Sequence, residues 1–367
     1  GKFTAFIGYE YGSVPDGDNL HRVVVFRDGA DKTSQVVPFS AYKSNNPKDL
    51  WAYLADYEAK TGGQVLAIPH NANLSNGKLF ALQDFVGNPL TREYADERAR
   101  WEPLYEVTQM KGDSETHPVL SPTDEFADFE RWDQANLIML KPSTDETKPG
   151  EYARSALKNG LALEAKLGTN PFKFGMIGST DAHTSYSNAE EDNYLGKYAA
   201  ATPSKDRWKK IMGEGIPNRV VDMLEWRTSM SGLAAVWATE NTREAIWDAM
   251  KRKEVYATTG PRMRVRVFGG FDLDPADATS NKLPDIGYAK GVPMGGDLPA
   301  AADGKAPTFL VAALADPDGA NLDRVQMVKG WLDDKGNVHE QVYDIAVSDD
   351  RAIKDGKAVT SVGSTVD

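Results

Sequence analysis

Three short apolar runs in this chain stop at a side chain able to hold a metal ion, and a fourth leads into a loop carrying another. No other feature constrains the fold as much. Phe3-Thr4-Ala5-Phe6-Ile7-Gly8-Tyr9 ends at Glu10, and Val65-Leu66-Ala67-Ile68-Pro69 ends at His70. Phe174-Gly175-Met176-Ile177-Gly178-Ser179-Thr180 ends at Asp181-Ala182-His183. Leu104-Tyr105-Glu106-Val107-Thr108-Gln109 precedes the loop of His117. Runs this short and apolar read as buried strands. Functional side chains at the ends of successive buried strands are how a barrel-like α/β protein builds its working face. The chain has five histidines, and three of them fall in this set.

Composition narrows the partners. At 367 residues the chain can bury a full core and form more than one domain. A net charge of -12 speaks against nucleic-acid binding, which needs a basic surface. A small anionic ester stays open as substrate, because a bound cation dominates its local field. There is no cysteine, so any metal is held by nitrogen and oxygen alone. No apolar run reaches the roughly 18 residues that read as a membrane helix, so no membrane span is expected.

Strand and helix signals alternate from Gly1 to Arg262. Arg22-Val23-Val24-Val25-Phe26 reads as a strand. Asn46 caps a helix with Pro47 in its first turn, and the helix stops at Gly62-Gly63. Further helices are expected over Glu125–Arg131, over Pro149–Leu167 with a glycine stop at Gly168, and from the capping pattern Asn241-Thr242-Arg243-Glu244 to Arg252. After Arg262 the character changes. Thr308–Leu314, Arg324–Lys329 and Val342–Val347 read as strands joined by Gly, Asp and Pro turns. The expected organisation is an α/β portion over residues 1–262 and an antiparallel β-rich extension over residues 263–367.

Imidazole and carboxylate together suit Zn²⁺, Mn²⁺ or Fe²⁺. Glu10 is the natural bridging ligand, since a carboxylate can span two ions. Asp181 and His183, two apart on extended chain, share a face. His70 and His117 complete the expected ligands. A centre of this type activates water and stabilises both oxygens of a displacement, usually at a phosphoester. His21 and Arg22 are the expected catalytic residues. Arg22, Lys111 and Arg262 are expected to grip an anionic substrate. Asn71 is expected to orient His70 or touch substrate, and Glu106 either supports a ligand or pairs with an arginine. Singly, each of these residues has an ordinary structural role; the case rests on their recurrence at strand ends.

Gly8-Tyr9-Glu10, Ile68-Pro69-His70-Asn71, Glu115-Thr116-His117-Pro118 and Ser179-Thr180-Asp181-Ala182-His183 follow the motif order of a known family. Asn19-Leu20-His21-Arg22, Glu191-Asp192-Asn193-Tyr194 and Tyr256-Ala257-Thr258-Thr259-Gly260-Pro261-Arg262 do the same. On these residues the chain resembles the DUF3604 proteins of the PHP (polymerase and histidinol phosphatase) metallohydrolase superfamily, over essentially its whole length. The resemblance implies a distorted β/α barrel with two or three divalent ions, Zn, Mn or Fe. It implies that Glu10 bridges two of them, Asp181 joins the first, His70 and His117 hold the second, and His183 belongs to a third. It implies a metal-dependent phosphoester hydrolase, or a sulfate-ester or phosphonate hydrolase on the same centre; a non-catalytic binding scaffold is the alternative. The family's opening His-x-His pair and Thr-Asp-His-like motif do not occur here. The barrel is therefore expected to lack its first strands unless a missing N-terminal segment or a homo-oligomer supplies them. Relatives often carry export signals, which implies a periplasmic or secreted location.

Overall fold

The computed structural model describes residues 3–184, 196–198, 201–228, 232–301 and 304–362. Its centre is a set of short strands. β1 (Ile7–Tyr11), β2 (Arg22–Phe26) and β3 (Val65–Pro69) form an antiparallel meander. β4 (Leu104–Gln109) pairs antiparallel with the short β5 (Gly112–Asp113) and parallel with β6 (Gly175–Gly178). A single parallel bridge between His70 and Glu106 links the two sheets. The antiparallel pair of β7 (Leu233–Val236) and β8 (Val255–Thr258) lies against β6. Gly178 permits that approach, since a Cβ there would stand 2.9 Å from the carbonyl oxygens of Leu233 and Thr258.

Five helices accompany these strands: α1 (Ala30–Thr33), α2 (Pro47–Thr61), α3 (Arg92–Trp101), α4 (Ala153–Leu167) and α5 (Arg243–Lys251). The ends of α2 follow from its sequence. Asn46 Oδ1 accepts the Lys48 N–H, and Gly62 closes the helix in the left-handed region at φ 62°. Leu50, Trp51, Leu54 and Tyr57 form its buried stripe. α4 also ends on a left-handed glycine, Gly168, and α5 begins with Thr242 accepting the Ala245 N–H.

Strand alternation sorts the core into two layers. Val24, Phe26, Val65, Ala67, Tyr105 and Val107 pack with the stripe of α2 and with Ala153, Ala156 and Leu163 of α4. Val25, Leu66, Ile68, Leu104 and Ile177 pack with Trp247 and Met250 of α5. Each large side chain so buried contributes roughly 1.5–3 kcal/mol. Cover on both faces is why β3 and β4 are buried at every position and β3 reads as an unbroken apolar run.

The C-terminal part is β-rich. β9 (Arg264–Gly270) lies between β10 (Gly291–Pro293) and β11 (Thr308–Leu314), both antiparallel to it. α6 (Leu283–Lys290), for which the sequence carried no expectation, precedes β10. The long hairpin of β12 (Arg324–Leu332) and β13 (Val338–Val347) packs on α4. Glu340 fastens it there, accepting from Arg154 Nη2 at 2.6 Å and Ser121 Oγ at 2.7 Å.

The protein is thus mixed α/β, with several small, mostly antiparallel sheets and a β-rich C terminus. No closed barrel forms among the described residues. A β/α barrel requires parallel neighbours, and among the described strands only β4 and β6 form a parallel ladder. β1 and β2 are joined without a crossover helix, so they pair antiparallel. The helix expected over Glu125–Arg131 is a series of turns. Its carboxylates are drawn outward, Asp124 to Arg154 and Glu125 to Arg324, while Asp124 Oδ1 caps the Phe126 N–H and Glu130 adopts φ 39°. The motif Glu191–Tyr194 lies outside the described residues.

Candidate metal centre

Strand register brings three side chains together. β1 pairs Glu10 with Val23, and β3 pairs Pro69 with Arg22. One residue further along the second ladder, His21 stands opposite His70, and residues opposite each other share a face. Glu10 Oε1 lies 2.7 Å from His21 Nδ1 and 3.1 Å from His70 Nε2, the latter off the line of a hydrogen bond. The two imidazoles meet edge to face, with centroids 5.5 Å apart. One ligand atom from each of Glu10, His21 and His70 lies within 4.8 Å of the others, the one such group of three among the described residues.

The same alternation sends Arg22 to the opposite face, where it is 1% exposed. Its Nε donates to Glu102 Oε1 at 3.0 Å and its Nη1 to the Leu20 carbonyl at 2.6 Å. Trp51 Nε1 also donates to Glu102 at 2.9 Å, and Arg98 stands 3.2 Å from it. Arg22 is therefore part of a core ion-pair cluster, and the expectation of a catalytic or substrate-binding role is corrected.

Polar neighbours fix the turn that carries His70. Asn19 Nδ2 donates to the His70 carbonyl at 2.6 Å. Asn71 follows in the left-handed region at φ 50°, buried, with Nδ2 directed to Asn73 Oδ1 at 3.3 Å. Burial raises the Glu10 carboxyl, but contacts with His21 and His70 outweigh it and hold the group well below the usual carboxylate range. Burial lowers His21 despite the pull of Glu10, so this ring is neutral near pH 7. Burial also lowers His70, but Glu10 and Glu106 outweigh it and raise that ring. With Nδ1–H given to Glu10, neutral His21 presents a lone pair at Nε2. That nitrogen and His70 Nε2 are both buried without a hydrogen-bond partner.

A second polar group adjoins the first. Ser179 Oγ donates to Glu106 Oε1 at 2.5 Å, so Glu106 is not paired with an arginine there. Burial raises the Glu106 carboxyl, ahead of the opposing pull of His70. Asp181, at φ 54°, accepts from Lys111 Nζ at 2.5 Å and from Lys197 Nζ, and its Oδ1 is 3.2 Å from His183 Nε2. Burial raises Asp181, but His183, Lys111 and Lys197 hold it well below the usual range. Burial, with the charge of Lys111, pushes Lys197 down to about 8. Nothing in Gly196-Lys197-Tyr198 marks Lys197 in the sequence; folding alone brings it to Asp181.

His117 stands apart. Its Nδ1 accepts the Val119 N–H at 3.1 Å, while Nε2 is 2.9 Å from Asp133 Oδ2 and 2.7 Å from Arg131 Nη1. Both nitrogens are engaged, and the ring packs on Tyr152. Gly112, at φ 95°, turns the chain back along β4, and Ser114 then accepts from Ala153 at the start of α4, which carries His117 away from the cluster. Arg262 is exposed, with its backbone N–H donating to Asp316 Oδ2 at 2.6 Å.

A cavity of about 280 Å³ opens beside the cluster. Its lining includes His21, Lys111, His183 and Lys197, the polar Asn136 and Tyr198, and an apolar group made up chiefly of Leu74, Trp132, Met139, Met212, Ile216 and Met223. Arg262 is not among its described lining residues.

The fold and the site define a mixed α/β protein with a carboxylate and two imidazoles gathered at the ends of a buried sheet. The chain belongs to the DUF3604 family, described as a protein of unknown function, and the match runs over residues 1–367. No curated protein and no solved structure matches the chain. No helix of the described residues is long and apolar enough to cross a membrane.

Proposed function

We propose that the chain is a divalent-metal-dependent hydrolase of the PHP type, acting on phosphoesters. The observation that carries this reading is the pair of buried, unpartnered nitrogens, His21 Nε2 and His70 Nε2, beside the Glu10 carboxylate. A buried polar atom without a partner costs about 1–3 kcal/mol. A cation coordinated by these two nitrogens, in place of any proton on His70, removes that cost. One carboxylate and two imidazoles, with no thiolate, suit Zn²⁺, Mn²⁺ or Fe²⁺. In this reading His21 Nε2 and His70 Nε2 hold the ion, Glu10 orients the His21 ring from its other nitrogen, and Asp181 with His183 forms a neighbouring donor pair.

A divalent ion bound there supplies Lewis acidity and a lowered pKa for water at the ester. The chain's own residues supply orientation and charge. Glu10 sets the tautomer of His21, and Asn19 and Asn71 hold the turn of His70. Glu106, hydrogen-bonded to Ser179, supports His70 from the adjoining strand. Lys111 and Lys197 bring two ammonium groups to the cavity against the one carboxylate of Asp181, which favours an anionic group on the substrate. Sulfate esters and phosphonates share that chemistry.

A non-catalytic scaffold is the second reading, favoured by the position of His117 outside the cluster. Elemental analysis and calorimetry with Zn²⁺ and Mn²⁺, followed by a panel of phosphate, sulfate and phosphonate esters, separate the two. Metal uptake with phosphoester turnover is expected. Uptake without turnover on any ester supports the scaffold, and no uptake of Zn²⁺, Mn²⁺ or Fe²⁺ overturns the hydrolase.

A further inference from the structure

We infer that the cavity beside the cluster receives the apolar leaving group of the ester, so that the substrate joins a tetrahedral oxyanion to a single-ring or short-alkyl alcohol. This rests on the hydrolase reading and deepens it.

The walls carry the argument. Leu74, Trp132, Met139, Met212 and Met223 belong to an apolar cluster distinct from the two that build the sheet core. Protein interiors leave few voids larger than a water molecule. Here these side chains border about 280 Å³ of space. An apolar cavity of about 150 Å³ holds benzene, so this one has room for a ring with a short substituent. Three methionines in one wall give a surface that adapts to flat or flexible apolar groups.

Charged and apolar groups are segregated in the lining. His21 is bonded to Glu10 and Lys111 and Lys197 to Asp181, while the apolar side chains pack together as one cluster. A sugar or a nucleobase would need several free donors and acceptors besides the charged groups. Asn136 is not free: its Oδ1 accepts from Leu140 and Lys141, and its Nδ2 donates to Asp18. Trp132 Nε1 is buried, unpartnered and on the cavity wall. It offers one donor and Tyr198 adds a hydroxyl to the lining, which together suit a ligand that is apolar apart from one or two polar atoms.

Calorimetry of the full chain with methyl-, butyl- and phenylphosphonate, with and without Zn²⁺, tests this without turnover. Affinity is expected to rise about fourfold per added methylene, with phenylphosphonate at least tenfold tighter than methylphosphonate. Ile216→Trp fills the cavity and is expected to weaken phenylphosphonate at least tenfold; Ile216→Phe fills it in part and is expected to weaken phenylphosphonate in the same direction if the first variant does not fold. Equal affinity for all three phosphonates would overturn the cavity assignment while leaving the metal reading intact. Uptake of Zn²⁺ without binding of any phosphonate would overturn the cavity assignment together with the oxyanion. Failure to take up Zn²⁺, with the chain folded and the phosphonates still graded by size, would overturn the hydrolase and keep the cavity.

Discussion

The Glu10 carboxylate meets His21 Nδ1 at 2.7 Å and leaves Nε2 of the same ring buried and unpartnered. A carboxylate on one imidazole nitrogen fixes the tautomer and makes the other a stronger donor. His70 stands opposite His21 across the strand ladder, with its own Nε2 3.1 Å from the same Glu10 oxygen. One carboxylate thereby organises two rings from two neighbouring strands.

His70→Ala and His21→Ala should each weaken Zn²⁺ binding by at least about 100-fold. His117→Ala should leave Zn²⁺ affinity close to that of the parent, because both its nitrogens are used within its own loop. It should instead lower stability by about 1 kcal/mol, since partly buried Asp133 loses one partner and keeps Arg131, Lys148 and Tyr152. Calorimetric titration beside urea unfolding checks all three. Loss of Zn²⁺ binding in a folded His117→Ala protein would restore the five-ligand set expected from sequence.

Arg22→Ala should destabilise the chain by about 3–5 kcal/mol, as removal of one member of a buried ion pair does. Glu102 would keep Arg98 and the Trp51 indole, which places the effect toward the lower end of that range. Under conditions where the variant is folded, its Zn²⁺ affinity should match the parent's. A selective loss of turnover without loss of stability would return Arg22 to the site.

Glu102 gives acid sensitivity with a definite sign. Burial raises its carboxyl, but Arg22 and Arg98 outweigh that and hold it below the ordinary range. The unfolded chain therefore takes the proton more readily. The stability this group contributes is present above its unfolded value of about 4.3 and is lost as pH falls through the lower folded value. Glu102→Gln removes that contribution. The difference in urea midpoint between parent and variant should narrow steadily from about pH 6 to about pH 3.

Glu340→Ala should loosen the C-terminal hairpin from α4. Glu340 accepts from Arg154 and Ser121, and Lys158 Nζ is 3.2 Å from it. Amide hydrogen exchange over β12 and β13 should accelerate by at least about tenfold, while exchange in β3 and β4 stays unchanged. Uniform acceleration across both regions would mean that the hairpin unfolds only with the whole chain.

Much of the local structure was legible because its causes are local. Asn46, Pro47 and Gly62 mark both ends of α2, and the apolar run of β3 marks a strand covered on both faces. The segment Glu125–Arg131 misled because acidic residues at helical spacing look alike whether they face solvent or reach for Arg154 and Arg324, which lie far along the chain. Trp132, Met139, Met212 and Met223 gave no sequence signal of a common wall, since their spacing fits neither strand nor helix.

The sequence by itself determined where the short strands run and that β3 is buried, that strand ends carry histidine and carboxylate, and that any metal is held without sulfur. Tertiary structure alone decided which of those ends meet. Antiparallel pairing of β1, β2 and β3 puts Glu10, His21 and His70 on one face and turns Arg22 to the other. The turn at Gly112 removes His117 from the cluster, and the path from β6 brings Lys197 to Asp181. The physical reason is that periodicity along a chain reports burial, whereas partner, direction and register are set by contacts between segments far apart in sequence.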